Sequence, residues 1–391
     1  MPSKSKVVIS RCCDYQDESL KATLDQLLRH LGGMEKFVQP GEKVLIKVNL
    51  LSPKSPEKAV TTHPALVKQL IKSVLSCGGK PIVGDSSGGM MKGKSSTSRA
   101  LDISGIRQAA EEAGAEVANF DQEEVIQVPN IDNPIASEFR MSKVVHDADT
   151  IICMPKLKTH TATLFTGAIK NMFGTIPGYQ KAEYHRIAPK LEDFSKILVD
   201  IYQHAKPDLV VMDGILAMEG PGPAHGHPYK ANLLLASADG VALDAVASKI
   251  MGFDPSEIAT TRIAQEHHLG EGRIDNIDIR GLSVEEAMLS DFSLPSQAIL
   301  SRISPFWIRR GLGMLKARPH IIKEKCVRCG FCRENCPVQV ISMEDGFPEI
   351  DQKRCIKCYC CQELCPEGAV VVQYDSLLLR AYMRLMSKKS T

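Results

Sequence analysis

The sequence predicts an α/β protein: a large domain on a mostly parallel sheet with helices on both faces, followed by a small α+β domain rich in cysteine. Two observations predict the large domain. Short β-branched runs alternate with amphipathic stretches of roughly 10 to 15 residues, the rhythm of strand–helix–strand units. Glycines stand where helices would close, at Gly32, Gly78 and Gly114. A third observation marks the small domain, since nine of the 13 cysteines fall between residues 326 and 365.

In chain order, Val7-Val8-Ile9, Val44-Leu45-Ile46, Ile82-Val83, Thr150-Ile151-Ile152 and Leu209-Val210-Val211-Met212 predict buried strands. Unbroken apolar runs of this kind suit a sheet covered on both faces. Helices are expected over Glu18–His30, His63–Ser76, Ile106–Ala113, Leu191–Ala205 and Asp239–Met251, where apolar residues recur at helical spacing. The expected domains are the α/β unit over residues 1–300, a basic linker over 301–320, the cysteine-rich unit over 321–373 and a helix or tail over 374–391.

The chain of 391 residues is 43% hydrophobic and 24% charged, an ordinary globular composition that can bury a core. No apolar run approaches the roughly 18 residues that cross a bilayer. Met1 to Lys6 lead directly into the first strand without a signal-peptide core, so the expected location is the cytoplasm. The net charge of +2 hides an asymmetry: residues 1–300 hold 32 Lys and Arg against 37 Asp and Glu, residues 301–391 hold 16 against 9. Most of the basic excess lies between Arg302 and Arg328, better placed for an acidic partner than for coating nucleic acid. No nucleic-acid motif is present, and no nucleic-acid partner is expected.

Cys326-x2-Cys329-x2-Cys332-x3-Cys336-Pro337 recurs 29 residues later as Cys355-x2-Cys358-x2-Cys361-x3-Cys365-Pro366. Three thiolates at this spacing wrap three corners of an iron–sulfur cubane, and in two-cluster ferredoxins the fourth cysteine of each run serves the other cluster. Two [4Fe–4S] clusters are therefore expected, one on Cys326, Cys329, Cys332 and Cys365, the other on Cys355, Cys358, Cys361 and Cys336. A zinc ribbon takes four ligands and has no use for a doubled run ending in Cys-Pro. The apolar segments after each Cys-Pro, Val338 to Ile341 and Ala369 to Val372, would keep water from the clusters. Cys360 falls out of register and reads as a packed free thiol. The segment resembles the bacterial-type two-cluster ferredoxins at every ligand position, which implies electron relay and a redox partner protein.

Ligands of open parallel sheets bind beyond the carboxyl ends of the strands. Here those ends lead into Lys47-Val48-Asn49, Gly84-Asp85-Ser86-Ser87-Gly88-Gly89, Pro155-Lys156-Leu157-Lys158-Thr159-His160 and Asp213-Gly214. Lys156, Lys158 and His160 alternate and so share one face of an extended chain. With Lys170 and Asn171 they could hold a carboxylate or phosphate by charge-assisted hydrogen bonds; a solvated basic loop is the bland alternative. The candidate catalytic residues are Lys156, Lys158, His160 and Lys170, and the candidate substrate-binding residues are Lys47, Asn49, Asp85, Asn171, Asp213 and Glu219.

The Gly84–Gly89 loop offers backbone N–H groups to an anion, or is a plain turn; it lacks the ordered nucleotide-binding patterns. The Glu219–His227 loop, stiffened by prolines, suits the wall of a site. With Asp213 and Asp244 it holds groups that could bind a divalent metal, although His-x-His in a glycine-rich loop reads first as surface. His63 before Pro64 reads as a helix cap.

Residues from about 5 to 290 resemble the DUF362 family of uncharacterised proteins. The segments that carry the likeness are Val44 to Leu50, Thr61-Thr62-His63-Pro64, Pro155 to His160, Gly167 to Gly174 and Met218-Glu219-Gly220-Pro221-Gly222-Pro223. Val48 departs from the family pattern, which leads one to expect proline there. The resemblance implies the fold and an association with iron–sulfur centres, without a reaction.

Two functions are compatible with these residues. One is an iron–sulfur oxidoreductase in which electrons reach a small anionic or carbonyl-bearing substrate and a lysine or histidine supplies the proton. The other is a non-enzymatic electron carrier or iron–sulfur adaptor whose α/β domain docks a partner protein. They are separated by whether the strand-end polar residues line one enclosed pocket facing a cluster or lie scattered. The apolar, basic segments Trp307 to Lys316 and Leu377 to Met386 are expected to dock the small unit on the large one, with a membrane surface as the alternative.

Overall fold

The computed structural model describes residues 4–91, 93–131, 133–296, 298 and 317–374. The large domain is organised by one sheet made of β1 (Lys6–Arg11), β2 (Lys43–Val48), β3 (Lys80–Asp85), β4 (Glu116–Asn119), β5 (Thr150–Met154), β6 (Lys156–His160), β7 (Leu209–Glu219), β8 (His227–Ser237) and β9 (Asp278–Gly281). Its order is β9-β1-β8-β7-β5-β2-β3-β4, with β6 added alongside β7. Neighbours from β7 through β5, β2 and β3 to β4 are parallel, whereas β8 is antiparallel to both β7 and β1.

Side chains alternate across the sheet as a period of two requires. Val8, Val44, Ile46, Ile152, Val211 and Leu234 face one core, shared with α1 (Asp17–Leu31), α2 (Pro64–Ser76) and α3 (Ile106–Ala113). Val7, Ile9, Leu45, Ile151, Val210 and Leu235 face the other, shared with α4 (Ala168–Asn171), α5 (Gly178–Ile187), α6 (Leu191–His204) and α7 (Gly240–Ile250). The helix and strand expectations from the sequence fall on these elements within two residues, except at the end of β7. Gly32 and Gly114 close α1 and α3 at φ of 107° and 87°, a region a side chain rarely adopts.

Two segments depart from the sequence reading. β7 does not end before Asp213 but runs on to Glu219, because β8 pairs with it along most of its length. Lys156 to His160, read as an extended segment beyond a strand with a solvated loop as the alternative, forms a strand of its own, β6, against the distal half of β7. Strand-end chemistry therefore sits on ordered backbone.

The cysteine-rich unit pairs Ala317–Ile321 with Val370–Tyr374 and Ile341–Glu344 with Phe347–Ile350, and adds α8 (Phe331–Glu334) and α9 (Cys360–Glu363). Its first strand begins at Ala317, within the stretch expected as linker. The connector Trp307 to Lys316 and the tail Leu377 to Met386 lie outside the described residues. The unit sits on the loop after β3. Asn335 bonds both the N–H (2.7 Å) and the carbonyl (2.8 Å) of Met90, and the Lys54 ammonium donates to the Pro366 carbonyl at 2.6 Å. A Cβ on Gly88 would come within 2.8 Å of Leu364, and one on Gly89 within 2.8 Å of Phe331. The Gly84–Gly89 loop is thus a close seat for α8 and α9 at its glycine end.

Candidate functional site

The lysines at the strand ends divide into two kinds. Lys47 on β2 pairs with Asp85 on β3 at 2.9 Å and donates to the Val48 carbonyl at 2.8 Å, with both side chains almost wholly buried. Lys156 pairs with Asp213 at 2.7 Å. Asp213 also accepts from the Tyr15 hydroxyl (2.7 Å) and the His63 backbone N–H (2.9 Å). These two lysines have spent their charge internally and line no part of the cavity described next.

The expectation that Lys156 acts with Lys158 and His160 is corrected accordingly: the register against β7 shifts between Lys156 and Lys158, and Asp213 on β7 takes the Lys156 amine. Asp213 and Glu219 are likewise outside the cavity. One Glu219 oxygen accepts from the Ser293 N–H at 2.7 Å.

Six of the ten candidates in the α/β domain do converge. Asn49, Asp85, Lys158, His160, Lys170 and Asn171 line one cavity of about 110 Å³, whose far wall is Asn335, Cys360, Glu363 and Leu364 of the cysteine-rich unit. A cavity of ~150 Å³ takes up benzene, so this one suits a ligand of roughly half a dozen heavy atoms. Lys170 and Asn171 are aimed by α4, whose first N–H groups, Ala168 and Ile169, donate to Asp244 of α7 at 2.6 and 3.0 Å. Burial pushes that Asp244 carboxyl up to about 7. The Asn171 amide donates to the Val48 carbonyl at 3.2 Å and accepts from Asn49 at 3.0 Å.

Burial dominates the electrostatics. It pushes Lys158 down to about 7, assisted by the charge of Lys170, and lowers Lys170 as well. The Lys158 amine donates to the Val60 carbonyl at 2.8 Å. His160 is held far below the usual imidazole range by burial and the two lysines, so its ring is neutral. Its Nδ1 accepts from the backbone N–H groups of Ala162 (3.0 Å) and Thr163 (3.2 Å), which places the proton on Nε2. That Nε2 lies 3.2 Å from Oε1 of Glu363, whose carboxyl is raised by burial against the opposing pull of Lys170 and Lys158. The pair is in reach but not aligned as a hydrogen bond.

Among the described residues, four buried polar atoms on this cavity have no hydrogen-bond partner: Asn49 Oδ1, His160 Nε2, Thr166 Oγ1 and Glu363 Oε1. Other buried side-chain atoms among the described residues lack a partner as well, and these four share one cavity, where a ligand or water can meet them.

Sequence reasoning passed over Lys181, Glu363, Thr166 and the position of Cys360. Lys181 on α5 is pushed down to about 8 by burial, and its amine donates to the Ser86 carbonyl and hydroxyl. His185 lines the cavity, stacks on Phe194 at 4.2 Å and is held near 3 by burial. Glu363 was hidden within the second cysteine run, where spacing drew attention only to sulfur.

The cysteines fall into two cavities, one lined by Cys326, Cys329, Cys332 and Cys365, the other by Cys336, Cys355, Cys358 and Cys361. These are the crossed sets that the spacing implies. Backbone N–H groups of Val340 and Ala369 donate to the Cys336 and Cys365 sulfurs at 3.4 and 3.2 Å, equivalent positions of the two repeats. Such bonds suit cluster thiolates, whose potential they tune. Burial pushes the Cys332 thiol up to about 11, so a thiolate there needs the positive charge that iron supplies. The residues present fit two cubane clusters.

No group of three His, Cys, Asp or Glu among the described residues closes on a single metal ion. Of the carboxylates weighed for a divalent metal, Asp213 is paired with Lys156 and Asp244 accepts from the Ala168 and Ile169 N–H groups. His63 caps α2, its ring accepting from the Ala65 N–H at 3.2 Å and stacking on Tyr15 at 3.5 Å.

Comparison with known proteins agrees with this anatomy. Residues 44–249 match the domain of unknown function DUF362, and residues 325–369 match the 4Fe-4S dicluster domain. Over 272 residues the chain is 38% identical to Thylakoid-associated protein sll1697 of Synechocystis sp., an alignment covering 68% of this chain and 79% of that protein. The lactate racemase apoprotein from Thermoanaerobacterium thermosaccharolyticum superposes on 65% of this chain, with 12% identity and a TM-score of 0.40. The chain spans 57% of the length of that racemase. Among the described residues no helix is long and apolar enough to cross a membrane.

Proposed function

The chain belongs to the DUF362 family and carries a ferredoxin-type 4Fe-4S dicluster domain, and from that premise we propose that it is an iron–sulfur oxidoreductase acting on a compact anionic or carbonyl compound at the seam between its two domains. One observation carries this reading: cations of the sheet edge and residues flanking the cysteines wall the same cavity. Asn335 and Cys360 adjoin Cys336 and Cys361, and Leu364 adjoins Cys365, so both cysteine sets come within one residue of the cavity lining. Two [4Fe–4S] clusters on those sets would supply single electrons, received from a redox partner protein.

The α/β residues do the rest. The Lys170 ammonium makes no hydrogen bond or ion pair among the described residues, and Lys158 has committed only one N–H, so both ammonium groups are available to an anionic oxygen. Reducing a carbonyl to a hydroxyl consumes two electrons and two protons, which Lys158 and Lys170 are placed to give, while Lys181 on the same cavity is committed to Ser86. Lys158, pushed down to about 7, exchanges its proton at neutral pH with little driving force lost. His160 stays neutral and orients a ligand oxygen through Nε2–H. A reducing, cytoplasmic compartment suits such thiolates; the thylakoid association in the relative's name would ask of this chain a peripheral contact.

The test is anaerobic reoxidation of the dithionite-reduced, cluster-loaded protein by a panel of compact oxo acids, followed by visible absorbance. At least one should reoxidise the parent roughly tenfold faster than Lys170→Gln, on the scale of one lost charge-assisted bond, with the two cluster spectra identical. If no compound outpaces the variant, relay to a protein partner replaces the enzyme reading.

A further inference from the structure

The unspent hydrogen-bonding atoms of the seam cavity are not all donors, and their polarity is fixed by backbone groups. Asn171 donates to the Val48 carbonyl, so its own oxygen faces Asn49; Asn49 must then turn its N–H2 to Asn171, which leaves Oδ1 toward the cavity. His160 Nδ1 is occupied by two backbone N–H groups, so Nε2 is a donor and the facing Glu363 Oε1 is an acceptor. The cavity therefore presents donors, from Lys158, Lys170 and His160, together with two acceptors, Asn49 Oδ1 and Glu363 Oε1. Thr166 Oγ1 can serve either way.

A plain anion answers only half of this. A simple carboxylate brings only acceptors, which satisfy the lysines and His160 but leave Asn49 Oδ1 and Glu363 Oε1 buried and unpaired. We propose that the ligand is a compact carboxylate that also carries a hydrogen-bond donor, a hydroxyl or an amino group, received by Glu363 and Asn49. The inference rests on the cavity being the substrate site. It narrows the substrate class, because a space of about 110 Å³ admits the carboxylate and little more than the carbon bearing the donor. A hydroxy acid is also the two-electron, two-proton reduced partner of an oxo acid, so the class agrees with the proposed chemistry.

Anaerobic calorimetry on the cluster-loaded protein with acetate, inorganic phosphate, glycolate and glycine tests it. Glycolate or glycine should bind about tenfold more tightly than acetate, the scale of one hydrogen bond to a charged group, and more tightly than phosphate, which carries a P–OH donor but no carboxylate. The better of the two identifies the donor as hydroxyl or ammonium. Glu363→Gln should bring that advantage within about threefold of acetate while leaving the visible spectrum unchanged, and Asn49→Ala, remote in sequence from the cysteines, should do the same. Equal binding of acetate overturns the donor requirement, and phosphate binding as tight as that of glycolate and glycine overturns the carboxylate; if Lys170→Gln then abolishes that binding, the anion site itself stands. If none of the four binds, both readings fall.

Discussion

In the cysteine-rich unit, eight cysteines at repeated intervals line two cavities, four to each. At the sheet edge, side chains from several separate segments line one cavity, and lysines that look alike in sequence meet unlike fates. Lys47 and Lys156 face Asp85 and Asp213 on adjacent strands and become internal struts, whereas Lys158 and Lys170 face the seam with charge to spare. The contrast shows where chemistry is encoded. A cluster site is written in local spacing, because one short loop supplies three ligands; the role of a buried lysine is written in whichever carboxylate the neighbouring strand presents.

The sharpest way to break the comparison is at two neighbouring cysteines. Cys358 lines the second sulfur cavity and Cys360 lines the seam, although one residue separates them. A fully loaded chain should hold roughly eight irons. Cys358→Ser should lose about half of that iron and of the visible absorbance, and Cys360→Ser should keep both. Equal losses from the two variants would contradict the assignment of the seam thiol.

Next in size is the cost of breaking a strut. Lys47→Met leaves Asp85 buried without its cation, a loss on the order of 3–5 kcal/mol, and thermal unfolding should drop accordingly with the cluster spectrum intact. Lys170→Met removes an ammonium with no ion pair among the described residues, so its unfolding temperature should match or exceed the parent's. Comparable destabilisation by both would mean that the two kinds of lysine are not distinct.

Much of this was legible before the structure. Apolar runs located the strands, and the doubled Cys-x2-Cys-x2-Cys-x3-Cys-Pro placed the sulfurs, since both signals are local and periodic. The carboxyl-end rule found four of the six candidates that line the cavity, Asn49, Asp85, Lys158 and His160, and the polar pair Lys170 and Asn171 supplied the other two. It misjudged Lys47, Lys156 and Asp213 because sequence does not show that β2 and β3 bring Lys47 to Asp85, or that β7 continues past Asp213 and offers it to Lys156. It missed Glu363 for a related reason: the wall opposite the lysines comes from the other domain, and nothing in either segment announces that they meet. Gly88 and Gly89 held the clue, as glycines at which Leu364 and Phe331 approach the backbone closely.

The smallest expected effect is a pH dependence, and it isolates Lys158. Its ammonium is pushed from 10.5 down to about 7, by burial first and by the charge of Lys170 second. The folded value lies below the unfolded one, so holding the ammonium costs stability; that cost is full below about pH 7 and fades as the pH rises toward 10.5. Lys158→Met should therefore raise the unfolding temperature most at pH 6, with a gain that shrinks toward pH 9. Ligand binding runs the other way. The charged amine attracts a carboxylate, so parent affinity should fall several-fold between pH 6 and 8 as the amine loses its proton, and the Lys158→Met profile should be nearly flat there. His160 and His185 are held neutral across that window and contribute no slope. Lys181, near 8 with its amine committed to Ser86, and Glu363, raised by burial, also border the cavity, and their protonation would favour an anion in the same direction. Lys170, lowered by burial, is a further candidate on the same wall. The variant decides between them: a slope that survives Lys158→Met belongs to Lys170, Lys181 or Glu363, and Lys158 would then be a structural amine bound to Val60 and nothing more.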